Sequence, residues 1–431
     1  MGVIKNILHV VPLPRLVCVE QRFPDAHIEN VPLELAALLR ASAGMRSVKP
    51  GARIAITAGS RKISRMPEML HCVAQAVRER GAEPFIVPAM GSHGGATAAG
   101  QRAVLEGLGI AEETVGAPVI SSMETDLIGT ALDGRPVYID RAANRADGII
   151  VMNRIKCHTS FRGKYESGLM KMMAIGLGKE KGASHYHQTG YEIMSEVVEA
   201  VGKEVLRHAE IIAGIGVIEN AYGKTAEIAC LEPEQIAAME PALLERANSL
   251  LPRLPMERLD VLAIAEIGKD ISGTGMDTNV VGRPYGAAIR GMEIATKRIV
   301  LSSLTALSHG NASGIGNADI ITRRLYQAID MDQVYTNCLT STAVHAAKIP
   351  LVMPNDRLAL QAAVKTSNLR DFREATLCCI RNTKRLERFY VSENLLDAMD
   401  MRRIVVLSEP FEPPFDSAGD LRLTYQEETT Q

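Results

Sequence analysis

A short apolar run, a glycine-bearing polar loop and a helical stretch follow one another repeatedly in the N-terminal part of this chain. Residues 53–57 (RIAIT) have the unbroken apolar character of a buried strand, and AGSRKIS is the loop that follows. Residues 66–80 then carry apolar side chains at helical spacing and stop at Gly81. The unit returns as a strand over 84–87, the loop PAMGSHGGAT and a helix over 98–108 closed by Gly109. A third strand, 148–152 (GIIVM), runs straight into a polar segment that begins at Asn153. Alternation of this kind predicts an α/β fold. Open α/β sheets gather their ligands beyond the C-terminal ends of the strands, so the loops after these three strands are where chemistry is expected.

With 431 residues the chain is too long for one ordinary core, and its 46% apolar content is ample for two. A proline-punctuated stretch, LPRLPMERL, follows a helical, Glu-rich segment and leads at once into a strand over 261–265. The domain boundary is placed there, giving an N-terminal α/β domain over 1–255 and a C-terminal α/β domain over 256–431. The second domain opens with the glycine-rich loop EIGKDISGTGMDTN and has another, HGNASGIGNAD, before the helix-like ITRRLYQAID. From Glu409 onward, the composition in Pro, Glu and Thr predicts a loop-like or partly disordered tail.

Forty-eight basic against 50 acidic residues leave a formal charge of -2, with no basic run that would track a phosphate backbone. Nucleic-acid binding is therefore not expected, and the 4% aromatic content argues against base-stacking surfaces. The seven cysteines are scattered, odd in number and without a CxxC pair, which reads as reduced thiols in a cytosolic protein. No secretory leader is recognised, and no apolar run reaches the roughly 18 residues of a membrane span.

The segment from Asn153 to His187, NRIKCHTSFRGKYESGLMKMMAIGLGKEKGASHYH, concentrates the reactive side chains. His158 follows the third strand, with Lys156 before it and Arg162 and Lys164 after it; that positive field depresses an imidazole pKa and favours a neutral base near pH 7. The plainer reading is a surface histidine in a basic loop. Lys171 interrupts an apolar run, where desolvation would free its amine for covalent chemistry, or where it would simply snorkel from an amphipathic helix. His185 and His187 form HxH, with both rings on one face if the segment is a strand or loop; as a metal site it is a weak signal, because ordinary sites need three or four ligands. Upstream, His93 lies in GSHGG just before a helix, where amides and glycines suit an anion, or where Ser92 or Thr97 merely caps the helix.

Taken together, the GSH loop at His93, the segment KCHTSFRGKYESGLMKMMAIGLGKEKGASHYH, the DTN at Asp277 and GNASGIGNADIITRRL resemble the nickel-pincer-dependent lactate racemases and their 2-hydroxyacid racemase and epimerase relatives. The likeness covers most of the chain. It implies that Lys171 forms a thioamide with pyridinium-3-thioamide-5-thiocarboxylic acid mononucleotide, the nickel-pincer nucleotide. It also implies that His187 completes the coordination of nickel. His93 and His158 then match the acid/base pair on either side of the substrate, and Arg61 the arginine that clamps its carboxylate. The implied chemistry is inversion of C2 through transient hydride transfer to the cofactor and a planar 2-keto acid. The implied partners are a small 2-hydroxy acid and the cofactor-synthesis enzymes.

Where lactate-acting members follow their Asp-x-Asn with Tyr-Gln and a lysine, this chain has Val281, Gly282 and Tyr285, and the loop between His158 and Lys171 is slightly longer. A hydroxy acid other than lactate is expected, bulkier or with a second anionic group. Lys269, Asp270 and Asp277 are candidate substrate contacts from the second domain, or braces of their own turn. The expected protein is thus a cytosolic two-domain α/β isomerase with its active site in the interdomain cleft. The alternatives are a metal-dependent hydrolase or lyase using the HxH pair, and an anion-binding protein using the GSHGGAT loop.

Overall fold

The computed structural model describes residues 2–283 and 294–425. Two compact units emerge, one spanning Pro24–Leu251 and the other joining the N-terminal segment up to Phe23 to the chain from Pro252 onward. Both are α/β. Among the described residues no helix is long and apolar enough to cross a membrane.

The Pro24–Leu251 unit is built on a five-stranded sheet in the spatial order Glu83–Pro88, Arg53–Ala58, Gly148–Arg154, Ile211–Glu219, Thr225–Leu231. The first four strands are parallel and the last is antiparallel. Burial on both faces explains the continuous apolar runs that mark the first three strands in the sequence. Helix Met66–Arg78 lays Met69, Leu70, Val73 and Val77 on one face of the sheet, against Ile54, Ile56, Ile150 and Ile215. Truncating one of these aliphatic side chains to alanine removes about 2–5 kcal/mol of stability.

The strand order contains a reversal that matters for function. The chain leaves Arg53–Ala58 for the neighbour on one side, then returns to place Gly148–Arg154 on the other. At such a switch point the loops that follow the two central strands diverge and leave a crevice beyond their C-terminal ends. Here those loops begin at Gly59 and Ile155.

The second unit holds an eight-stranded mixed sheet in the order Leu351–Met353, Ile320–Thr322, Ala295–Leu304, Arg258–Ile267, Leu377–Ile380, Arg388–Ser392, Leu16–Gln21, Ile404–Val406. The position of Leu16–Gln21 corrects the sequence-based division at 255. It pairs antiparallel with both Arg388–Ser392 and Ile404–Val406, so the first residues of the chain complete the C-terminal sheet. Its alternating burial gave no hint of which sheet it would join. The tail is also better anchored than its composition predicts. Phe411, Phe415, Leu421 and Tyr425 pack against the core, and the Tyr425 ring meets Tyr390 edge-on at 5.7 Å. ITRRLYQAID divides into strand Ile320–Thr322 and helix Arg323–Gln327, because Ile320 and Ile321 are taken into the sheet.

Candidate active site

Three loops at the C-terminal edge of the five-stranded sheet carry Arg61, His93 and His158, and two short helices beyond the third carry Lys171 and His187. The first is Gly59-Ser60-Arg61. A Cβ at Gly59 would stand 3.2 Å from Met172 Cε and 3.7 Å from Asn153 Oδ1, so the missing side chain lets this loop lie against the segment that bears Lys171. Ser60 Oγ is hydrogen-bonded to His93 Nδ1, which ties the second loop to the first.

Two of the glycines around His93 are explained by packing within the protein. A Cβ at Gly94, whose φ is +67°, would lie 2.5 Å from the carbonyl carbon of Gly100, and one at Gly91 would press on Ala183 and Ile175. Gly91 and Gly94 thus let the loop pack on protein, while a Cβ at Gly95, whose φ is +64°, would meet nothing within 4 Å. Thr97 accepts from Gly100 N at 3.0 Å and so caps helix Ala98–Gly107, as the plainer reading of this loop has it.

His158 follows the third strand. Its backbone N–H donates to Glu166 Oε2 at 2.6 Å, and its carbonyl accepts from Arg162. Ser160 N donates to His158 Nδ1 at 3.0 Å. An amide nitrogen can only donate, so Nδ1 holds the lone pair and the neutral ring carries its proton on Nε2. Burial holds this imidazole well below its ordinary pKa, and the charges of Lys171 and Lys156 push the same way. The neutrality expected from the local field is therefore present, with burial as its larger cause. The ring stacks on Phe161, with centroids 4.3 Å apart.

Lys171 stands at a junction in the backbone. Glu240, from helix Pro233–Ser249, accepts from Met170 N at 2.9 Å and caps the short helix Leu169–Lys171. A Cβ at Gly168 would come within 2.2 Å of Glu240 Oε1, so a side chain there would displace the Glu240 carboxylate. Beyond Lys171 the helix widens into a π-helical turn, Met172–Gly176, a local distortion common at functional sites. Burial and the charge of Arg61 push the Lys171 amine down to about 7, against the pull of Glu166. Its Nζ lies over the Phe161 ring at 5.2 Å.

His187 ends helix Lys179–His187. The helix overturns the expectation that HxH presents both rings on one face, because residues two apart on a helix point to different sides. His185 is exposed, while His187 is partly buried and meets Tyr191 at 6.1 Å. His187 Nδ1 lies 2.7 Å from the carbonyl oxygen of Ala183, which can only accept; the proton is on Nδ1 and the lone pair on Nε2. That tautomer is the one a metal-binding imidazole adopts when its other nitrogen is held by a carbonyl. Burial lowers the His187 pKa and favours the same neutral form.

These groups sense one another electrostatically. Lys171 and His187 act on His158, Lys171 acts on His187, and Arg61 acts on Lys171. The surrounding charge is positive, but most of the other cations are neutralised. Arg154 pairs with Glu219, Arg162 with Glu166, and Lys164 turns to Glu199 at 3.1 Å. Arg61 makes no hydrogen bond or ion pair to a described residue. Among the described residues no group of three or more His, Cys, Asp or Glu side chains is placed to hold a metal. Nickel held at His187 would therefore need its other donors from a cofactor, and an amine near pH 7 is a suitable point for attaching one.

Lys269 and Asp277 lie in the second unit, each bracing its own loop. Lys269 Nζ donates to the Gly273 carbonyl at 2.8 Å and to Asn337 Oδ1, while Asp277 accepts from Asn279 N at 2.9 Å. Asp270 accepts from Thr305 Oγ1 at 2.5 Å. Tyr285 lies outside the described residues.

A family described as a domain of unknown function, DUF362, matches residues 48–248. No curated protein matches the chain. Among solved structures, a structural-genomics protein from Thermotoga maritima is 11% identical, with a TM-score of 0.47, covering 77% of this chain and 82% of its own. The lactate racemase apoprotein from Thermoanaerobacterium thermosaccharolyticum is 12% identical, with a TM-score of 0.44, covering 80% of this chain and 99% of its own. These likenesses are too distant to carry a chemistry, which has to rest on the site's own side chains.

Several contributors had escaped the sequence. Tyr191 stands 6.4 Å from His158 and 6.1 Å from His187, ring to ring. Glu166 is buried beneath the His158 loop, and Glu240 reaches Met170 from a helix 70 residues away. Nothing local marks a glutamate as a cap for a distant helix. Ser60 was legible only as part of a loop.

Proposed function

We propose that this chain is a racemase or epimerase that inverts C2 of a 2-hydroxy acid other than lactate, with a nickel-pincer nucleotide joined to Lys171 and its nickel bound by His187. The observation that carries the proposal is the pairing of Lys171, an amine held near pH 7, with His187, an imidazole whose lone pair is kept on Nε2. One supports covalent attachment and the other metal ligation. When bound, the group supplies a hydride acceptor and donor, which no side chain can replace.

The protein's own part is to bind the acid and manage its proton. Arg61 offers the carboxylate a guanidinium without a partner among the described residues, which can hold it bidentately. His93, oriented through Ser60, takes the hydroxyl proton. His158 presents Nε2–H and holds the same oxygen by a hydrogen bond. Phe161 and Tyr191 flank this imidazole, at 4.3 and 6.4 Å from ring to ring. Arg162 and Lys164 are both paired, so they give no support to a second anionic group on the substrate, and the departure from lactate is read as one of size. The hydrolase alternative loses its premise with the placement of HxH on a helix.

Protein produced together with the cofactor-synthesis enzymes is expected to show a mass adduct on the Lys171 peptide and to racemise members of a 2-hydroxy acid panel by polarimetry. In deuterated water the C2 hydrogen should be largely retained. Active protein with an unmodified Lys171 would end the proposal.

A further inference from the structure

Beneath the candidate site lies a polar cluster that the mechanism does not use. Lys179, Asp140 and Gln101 are each 0% exposed. Lys179 Nζ donates to the Pro88 carbonyl and to Gln101 Oε1, both at 2.8 Å, and forms an ion pair with Asp140 at 3.2 Å. The ammonium thus has two hydrogen-bond acceptors and a buried carboxylate as its counter-charge. Because Lys179 can only donate, the Gln101 amide is fixed with its oxygen toward the lysine. Its nitrogen then donates to the carbonyls of Gly91 at 2.8 Å and His93 at 3.3 Å. Both amide protons are accounted for.

We propose that Lys179 and Gln101 are positioning residues that set the main chain of the His93 loop against the helix carrying His187. The topology favours this. Pro88 ends the strand that leads into the loop, Gly91 and His93 lie within it, and Lys179 opens the helix that closes with His187. Lys179 holds φ +53°, a left-handed conformation unfavourable for a side chain with a Cβ, and this directs its amine inward. A buried ion pair is a poor source of stability compared with apolar packing of equal volume. What this one supplies is a fixed spacing between two loops that apolar contacts would leave free to slide.

The catalytic side of this inference rests on the racemase reading, but its structural side does not. The decisive variant is Gln101→Glu, which keeps an acceptor for Lys179 and removes the two N–H donors to the loop. A second, Lys179→Met combined with Asp140→Asn, removes the charges without leaving one buried alone. In protein labelled with 15N-histidine, the His93 ring resonances should move in both variants, and carbethoxylation of His93, read by mass spectrometry, should change rate. In cofactor-loaded enzyme, kcat should fall about 100-fold for a displacement of the order of 1 Å, with KM little altered. Unmoved His93 resonances and reactivity in both variants, even with a lowered Tm, would overturn the proposal. If no hydroxy acid is turned over at all, the ring resonances alone still decide it.

Discussion

Ser160 N donates to His158 Nδ1 at 3.0 Å, and that contact leaves the proton of the neutral imidazole on Nε2. The two histidines of the proposed pair are then not equivalent, since His158 offers a donor and His93 a base. Glutamine can replace a donor but not a base. His158→Gln is expected to keep kcat/KM within about tenfold of the parent, the scale of one hydrogen bond. His93→Gln should lose about 10²–10⁴-fold. Equal losses in the two variants, measured on cofactor-loaded enzyme, would show that His158 also transfers its proton fully.

The Lys171 amine is pushed down to about 7 by burial and by Arg61, and Glu166 opposes them. Its acylation by a small activated ester, followed by peptide mass spectrometry, should show a midpoint near that value rather than near the ordinary lysine value of about 10.4. Arg61→Met removes a cation and should move the midpoint upward. Glu166→Gln removes an anion and should move it down. Midpoints that ignore both substitutions would mean that burial alone sets the reactivity.

Glu240 is buried and its carboxyl is pushed up to about 7 from an ordinary 4.5. The sign follows from proton binding. Between these two values the folded protein holds a proton that the unfolded chain has lost, so stability falls as pH rises through the interval and then levels off. The loss is on the order of 3 kcal/mol. Glu240→Gln keeps an acceptor for Met170 N and removes the ionisation. Its Tm at pH 8 should exceed that of the parent, and the difference should vanish near pH 4.

The first unit's architecture was readable because each of its early strands is an unbroken apolar run ended by a polar loop, a pattern with few competing interpretations. The three loops and their histidines followed from that. What could not be read were relations that depend on distant packing. Leu16–Gln21 is a good strand in any sheet, and only its hydrogen bonds to Arg388–Ser392 and Ile404–Val406 reveal its place. The HxH reading failed because two imidazoles at that spacing look alike on strand and helix until the backbone is known. The tautomers of His158 and His187, opposite in sense, come from Ser160 N and the Ala183 carbonyl and leave no trace in composition or spacing.

Arg61 gives the sharpest test of what this site binds. Its guanidinium has no ion pair with a described residue, whereas Arg154 beside it is matched by Glu219 and Arg162 by Glu166. A planar fork held without a partner suits a carboxylate, which accepts two parallel hydrogen bonds. Lysine in the same place keeps the charge and loses the fork. Arg61→Lys is therefore expected to raise KM for the hydroxy acid by about tenfold or more, the worth of one charge-assisted hydrogen bond of about 1.5–3 kcal/mol. Arg61→Met should raise it further and make binding less sensitive to salt. The esterified acid, lacking the anion, should bind the parent and the Arg61→Met protein alike. Salt titrations of KM for acid and ester, run on the three proteins, check this. An ester that still distinguishes the parent from Arg61→Met would place the carboxylate elsewhere in the site.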